Sequence, residues 1–218
     1  MRAGSALTAV LLVMLGMSTI GAHAQTPDDT PPLRFGGPYV SGLVGAQNIF
    51  GGSFIGGVEV LARELRGVVE LAAGARGQLW QGRLLLGGEL QYGRTDGNLQ
   101  QFYEPNQSTV QYYNRSQVGL GVTFGWVPDA RRRVALLGYV FKTWRKFDVI
   151  VIRGSFLYPQ ADRQNYFRYG GGAEVALFGS LHLTARVGFV YADFSSLVTS
   201  MDLAALPELS AGLTYQIY

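Results

Sequence analysis

Between Val118 and Trp126 every second residue is large and apolar, and every residue between is small or polar. Val118, Leu120, Val122, Phe124 and Trp126 form one face; Gly119, Gly121, Thr123 and Gly125 form the other, which continues back to Gln117 and Arg115. A two-residue period marks a strand, because successive side chains leave opposite sides of the pleat. The partition constrains the fold further: the apolar face carries no charge, while glycine and isolated charged groups share the opposite one.

The same partition recurs. Over 68–80, Val69, Leu71, Ala73, Ala75 and Leu79 oppose Glu70, Gly74, Arg76 and Gln78. Over 83–95, Leu84, Leu86, Gly88, Leu90 and Tyr92 oppose Arg83, Leu85, Gly87, Glu89, Gln91 and Gly93. Over 165–178, Phe167, Tyr169, Ala173, Val175 and Leu177 oppose Arg168, Gly170, Gly172 and Glu174. Over 181–194, Leu183, Ala185, Val187, Phe189 and Tyr191 oppose His182, Thr184, Arg186 and Gly188. In 134–147, Leu137, Tyr139 and Phe141 are placed on the apolar side and Lys142 opposite. With 39–48 and 208–218, the reading gives eight strands.

Their connections alternate in length. Gln81-Gly82, 128–131 and the residues around Gly179-Ser180 read as tight hairpin turns. The stretches 50–67, 96–111, 148–164 and 195–207 read as long loops. Within the first, 58–66 fits a turn or two of amphipathic helix as well as a strand, and is assigned to the loop. Short turns at one end and long loops at the other are the layout of an outer-membrane barrel. The expected fold is all-β, an eight-stranded antiparallel up-and-down transmembrane β-barrel.

A soluble barrel would place the apolar face inside. The Gly-rich face argues for the reverse. An eight-stranded barrel has an interior just wide enough for side chains to fill, and glycine leaves room there for long charged groups. A charged group on the lipid side would cost roughly 2–4 kcal/mol at mid-bilayer. Composition agrees: 15% of residues are charged and 30 of 218 are Gly, but mean hydropathy is only +0.13. The lumen is expected to hold Glu70, Arg76, Glu89, Arg115, Lys142, Arg168, Glu174 and Arg186 as an ionic plug, with Arg76–Glu89 and Arg186–Glu174 as neighbouring-strand pairs. An ion path is the functional alternative to a filled core.

The N-terminus adds a compartment. Arg2, an apolar stretch over 7–17 and Ala22-His23-Ala24 make a signal peptide, 1–24, cleaved after Ala24. An uncleaved anchor is the weaker reading, because a spanning helix needs about 20 apolar residues. Residues 25–36 read as a periplasmic tether and 37–218 as the barrel. The net charge is +3, and the compact basic run Arg131-Arg132-Arg133 falls in a turn, so no nucleic-acid partner is expected. There is no cysteine. No catalytic, metal or cofactor site is read from the sequence.

At the C-terminus, Ala211, Leu213, Tyr215 and Ile217 alternate. The last strand is expected to close on the first, so that no edge is bare in lipid. Gly212, Leu213, Tyr215, Ile217 and Tyr218 resemble the C-terminal signal read by the outer-membrane assembly machinery, although Ile217 stands where an aromatic is usual and Tyr218 is one residue extra. "GPYVSGLVGAQ" (37–47) resembles the opening strand of OmpA-like and opacity-type eight-stranded, porin-like barrels. "YGGGAEVALFGSLHLTARVGFVYADF" (169–194) is similar to that family's penultimate hairpin, with Arg186 where an inward Glu is usual. The resemblance implies a bacterial outer-membrane location, contact with outer-membrane lipids and passage through that assembly machinery. No peptidoglycan-binding segment follows the barrel, so wall anchoring is not expected.

What remains is a structural or surface-interaction, adhesin-like role. Host or surface ligands would be met through 96–111, with its Phe-Tyr pair, and 148–164, with two apolar runs; alternatively these stretches extend the strands above the membrane. The enzymatic rival is lipid A modification, which in similar small barrels rests on His plus Ser near the outer leaflet. His182, the one histidine left after cleavage, lies at the opposite, short-turn end, so no enzyme is expected.

Overall fold

The computed structural model describes residues 35–55, 58–95, 98–103, 108–128, 133–153, 155–192 and 206–217. The signal peptide and most of the tether lie outside the described residues. The strands are β1 (Gly37–Ile55), β2 (Val58–Leu79), β3 (Leu84–Thr95), β4 (Asn98–Tyr103), β5 (Ser108–Trp126), β6 (Val134–Arg153), β7 (Phe156–Phe178), β8 (Leu181–Ala192) and β9 (Leu206–Gln216). Both β3 and β4 pair with β5, through 117–126 and 108–113 respectively, so together they form one stave. All pairings are antiparallel, and β9 closes on β1 with Tyr39 opposite Gln216. The result is a closed barrel of eight staves.

The register fixes its shape. A row of paired residues starts at Gln216 and runs through Tyr39, Gly74, Glu89, Gly121, Phe141, Arg168 and Val190. It returns to β9 at Leu206, ten residues from its start. That stagger goes with strands tilted by about 35–45° to the barrel axis.

The outside is apolar. On β8, Leu183, Val187, Phe189 and Tyr191 are 38–61% exposed, while His182, Thr184 and Arg186 between them are buried. From Leu181 to Tyr191 the outward face runs about 33 Å at ~3.3 Å per residue. With the tilt this projects to about 25 Å, the height of a barrel's apolar band. Trp80, Trp126 and Phe178 stand exposed towards the short turns, and Tyr92, Trp144, Phe167 and Tyr191 towards the hairpins.

The turn between β2 and β3 is tight. Trp80, Gln81 and Gly82 adopt φ of 51°, 57° and 77°, and Arg83 N–H donates to the Trp80 carbonyl at 3.2 Å. Two non-glycine residues in left-handed geometry are unusual; as a turn of that hand, they match the twist of the flanking strands.

Three expectations are corrected. First, the stretches expected as long loops are largely strand. Residues 58–66 belong to β2, paired with β1 from Ile55↔Val58 onward. Most of 96–111 lies in β4 and β5, and most of 148–164 in β6 and β7, where Ile150 lies opposite Pro159. Pairing with a neighbouring strand supplies the backbone partners that the mixed local pattern could not announce. The stretch 195–207 lies largely outside the described residues.

Second, the facing of β6 is reversed. Leu137, Tyr139 and Phe141 point into the lumen and are 9%, 4% and 0% exposed, while Leu136, Val140 and Trp144 face out. Lys142 also faces out, its ammonium 4.3 Å from the centroid of the Phe167 ring. Both faces of β6 are apolar here, so period alone does not choose between them. Glycines on neighbouring strands make the room inside: a Cβ on Gly121 would strike the Phe141 ring, and one on Gly170 or Gly188 the Tyr139 hydroxyl.

Third, the end of the expected tether enters the barrel. Phe35 is fully buried, packed with Leu85, Val127, Ala135 and Leu137. Gly37, at φ +98°, turns the chain from there into β1.

Candidate functional site

The lumen holds most of the chain's interior chemistry. Among the described residues it buries Arg76, Arg145, Arg168 and Arg186 against Glu70, Glu89, Glu174 and Glu208, four of each sign. Each reaches the lumen by lying on the inward phase of its strand. Buried charges need partners, and the barrel provides them in tiers.

Phe35 and its apolar neighbours close the short-turn end. Above them His182, fully buried, meets the Phe35 ring edge-on at 5.0 Å and shares a 2.6 Å hydrogen bond between its Nδ1 and Glu174 Oε1. Arg76 Nη2 donates to the other oxygen of Glu174 at 2.9 Å. Its guanidinium also lies over the Tyr39 ring, 4.0 Å from the centroid. Beside this tier the hydroxyls of Ser41, Thr214 and Thr184 hydrogen-bond in sequence, at 2.8 and 2.6 Å.

The next tier centres on Glu89. Arg186 grips it with both terminal nitrogens, at 2.7 and 2.8 Å. Tyr39 donates its hydroxyl to the same carboxylate, and Gln91 donates at 2.8 Å. Such forked arginine–carboxylate pairs combine charge with fixed geometry.

Higher still, Arg168 lies between two carboxylates. Its Nη1 is 2.6 Å from Glu70 and its Nε 2.8 Å from Glu208. Gln47 and Tyr139 donate to Glu208 at 2.9 and 3.2 Å. Arg145 donates to the side-chain oxygens of Gln47 and Gln117, both at 2.9 Å, and its guanidinium lies 4.6 Å from the Tyr166 ring centroid. Tyr166, Val190 and Leu206 form a small apolar cluster towards the hairpin end.

The expected pairs are exchanged. Instead of Arg76–Glu89 and Arg186–Glu174, the structure has Arg76–Glu174 and Arg186–Glu89. The sequence reading paired neighbours along the wall. In so narrow a cylinder, inward side chains converge on the axis, and an arginine reaches a stave well round the barrel. Arg76 also stacks on Tyr39, which turns it from Glu89. Of the other expected lumen residues, Glu70 and Arg168 pair with each other, and Lys142 is outside. Arg115 stands at a register break between Asn114 and Ser116, and its side chain lies outside the described ones.

Sequence reasoning missed Arg145 and Glu208. Arg145 was hidden by the reversed facing of β6. Glu208 shares a face with Ser210, Thr214 and Gln216, and this polar alternation was its available signal. Among the described residues no group of three or more His, Asp and Glu side chains is arranged to hold a metal ion.

At the closing seam, Leu213, Tyr215 and Ile217 face outward, about half exposed. Ile217 N–H donates to the Pro38 carbonyl at 2.8 Å. A Cβ on Gly212 would collide with the Gly42 carbonyl and lie 2.8 Å from Leu43 Cα. Tyr218 lies outside the described residues.

No protein-family model and no curated protein match the sequence. Several solved structures are similar to it. Ail, the attachment invasion locus protein of Yersinia pestis, is 10% identical with a TM-score of 0.47, the match covering 83% of this chain and 99% of that one. Neisserial surface protein A is 13% identical with a TM-score of 0.45, over 83% and 96%. A major outer membrane protein from Thermus thermophilus is 15% identical with a TM-score of 0.47, over 82% and 98%. In strand number and closure this chain is an eight-staved antiparallel β-barrel with its charge placed inward.

Proposed function

We propose that the protein is a small bacterial outer-membrane barrel, exported by its signal peptide, with a closed lumen and a structural or surface-interaction role. One observation carries this reading: the barrel is apolar outside and ion-paired inside. A water-soluble cylinder has no use for that arrangement, because it would expose its leucines and bury its arginines. Lipid on the outside removes the first difficulty, and the tiers of paired charge remove the second. The assembly machinery would read the C-terminal strand, with Gly212, Leu213, Tyr215, Ile217 and Tyr218 as its signal. Fractionation tests the location. The folded protein should accompany outer membranes and migrate faster on unheated than on heated gels; recovery in the soluble fraction without detergent would overturn the reading.

The interaction role falls to the hairpin ends that lead into 96–111 and 148–164, the parts of a spanning barrel that extend beyond the membrane. Replacing both tips with short turns should abolish binding to host cells or matrix and leave the gel shift intact. Unchanged binding would remove the adhesin-like role. The channel alternative is disfavoured by the Phe35 cluster and by lumen side chains that are almost all under a tenth exposed. His182 supports no enzymatic reading: it is buried against Glu174 in the lowest ionic tier, far from the hairpin end.

A further inference from the structure

Phe35 lies outside every strand, two residues before β1, yet it is fully buried and its contacts cross the barrel. Ala135 and Leu137, packed with it, belong to β6. That strand is the fourth stave from β1 in either direction, so the ring reaches the opposite wall. Leu85 of β3 and Val127 beyond β5 complete the cluster on one side, and His182 of β8 meets the ring at 5.0 Å from the other.

The root of this segment is tied to the seam where the barrel closes. Gly37 turns the chain at φ +98°, and a Cβ there would sit 3.4 Å from the Ile217 carbonyl. The Pro38 carbonyl accepts the Ile217 N–H at 2.8 Å. The next rung, Tyr39 opposite Gln216, begins the β1–β9 ladder. Gly36 lies against the Gln78 side chain of β2.

On a flat sheet β6 would stand about 19 Å from β1, at ~4.8 Å per strand. Two residues of chain span at most about 7 Å. The ring therefore meets β6 and β8 together only when the sheet has curled. From this juxtaposition of a ring rooted at the seam and a socket on the opposite wall, we propose that Phe35 is a latch: it docks after the barrel has closed and holds the β1–β9 seam shut. Parting β1 from β9 pulls on the root of the latch, so the ring leaves its socket in the same movement. Docking thus raises the barrier to opening and leaves the barrier to closing unchanged. An opened seam would bare strand edges to lipid, which offers their backbone groups no partners. The latch rests on the membrane-spanning reading for the lipid around that seam.

The test follows folding and unfolding of the mature chain in lipid vesicles by the gel shift. A contact made after the transition state changes the unfolding rate alone. Phe35→Ala should fold within about twofold of the wild-type rate and unfold in concentrated urea roughly 100-fold faster. Phe35→Leu, which keeps an apolar side chain in the socket, should recover most of the slow unfolding. A staple tests the seam itself. Val44 and Ala211 stand opposite each other across it on the outer wall, and the chain has no cysteine of its own. In the Val44→Cys/Ala211→Cys barrel, oxidised, Phe35→Ala should speed unfolding by no more than about threefold; reduction should restore its full effect. If Phe35→Ala slows folding as much as it quickens unfolding, or forms no shifted band, the ring takes part in closure and the latch is overturned. Unfolding at the wild-type rate would overturn it too, as would an equal effect in the oxidised and reduced barrels. Failure of the membrane reading shows separately, as the absence of any gel-shifted form of the wild type.

Discussion

The exchanged ion pairs can be tested by a double-mutant cycle. Glu89 receives two bonds from Arg186, at 2.7 and 2.8 Å, and the side chains are 0% and 5% exposed. In Glu89→Gln the carboxamide removes the charge and turns an N–H towards a guanidinium N–H. The variant leaves a buried guanidinium without its counter-charge, and breaking a buried pair from one side costs roughly 3–5 kcal/mol. Arg186→Gln strands Glu89 in the same way, with Tyr39 and Gln91 as its remaining donors. The double variant carries neither charge, so its cost should fall well short of the sum, with a coupling of about 2 kcal/mol or more. Arg76 and Glu89 lie on adjacent strands with no hydrogen bond between them among those of the described residues, and both neighbour Tyr39; their coupling should be at least about 1 kcal/mol weaker. Urea unfolding in lipid vesicles, followed by the fluorescence of Trp80, Trp126 and Trp144, measures all six proteins of the two cycles. If Glu89 couples to Arg76 as strongly as to Arg186, the cross-lumen pairing is wrong.

Three other outcomes follow from the same geometry. Phe35→Ala should lower stability by about 3–5 kcal/mol, as large-to-small changes in packed cores do; an unchanged melting temperature by gel shift would show that Phe35 does not plug the barrel. Gly212→Ala should impair closure of β9 on β1, because the added methyl meets backbone rather than a movable side chain; a wild-type yield of heat-modifiable barrel would refute this. In planar bilayers the protein should give no opening events, and steady single-channel conductance would replace the plugged lumen with a channel.

Much of the fold was legible because lipid and lumen impose opposite demands on alternate residues. The facings of β2, β3, β5, β7 and β8 followed from that alternation. The signal failed on β6, where Leu137, Tyr139 and Phe141 fill space left by glycines on other strands. No window along β6 contains those glycines. The ion pairs were illegible for a related reason: strand neighbours can be counted along the sequence, but partners across the lumen depend on curvature and stagger. The hairpin extensions failed because pairing, more than local pattern, makes them strands.

The four inward glutamates have one further consequence. Glu174 on β7 is neutralised from β2, Glu89 on β3 from β8, and Glu70 on β2 from β7. While the sheet is still open and flat, these groups stand apart and unmatched. Neutralisation and curling are therefore a single event, and a half-rolled intermediate has little to hold it. The molecule should pass between open and closed forms without a populated halfway stage.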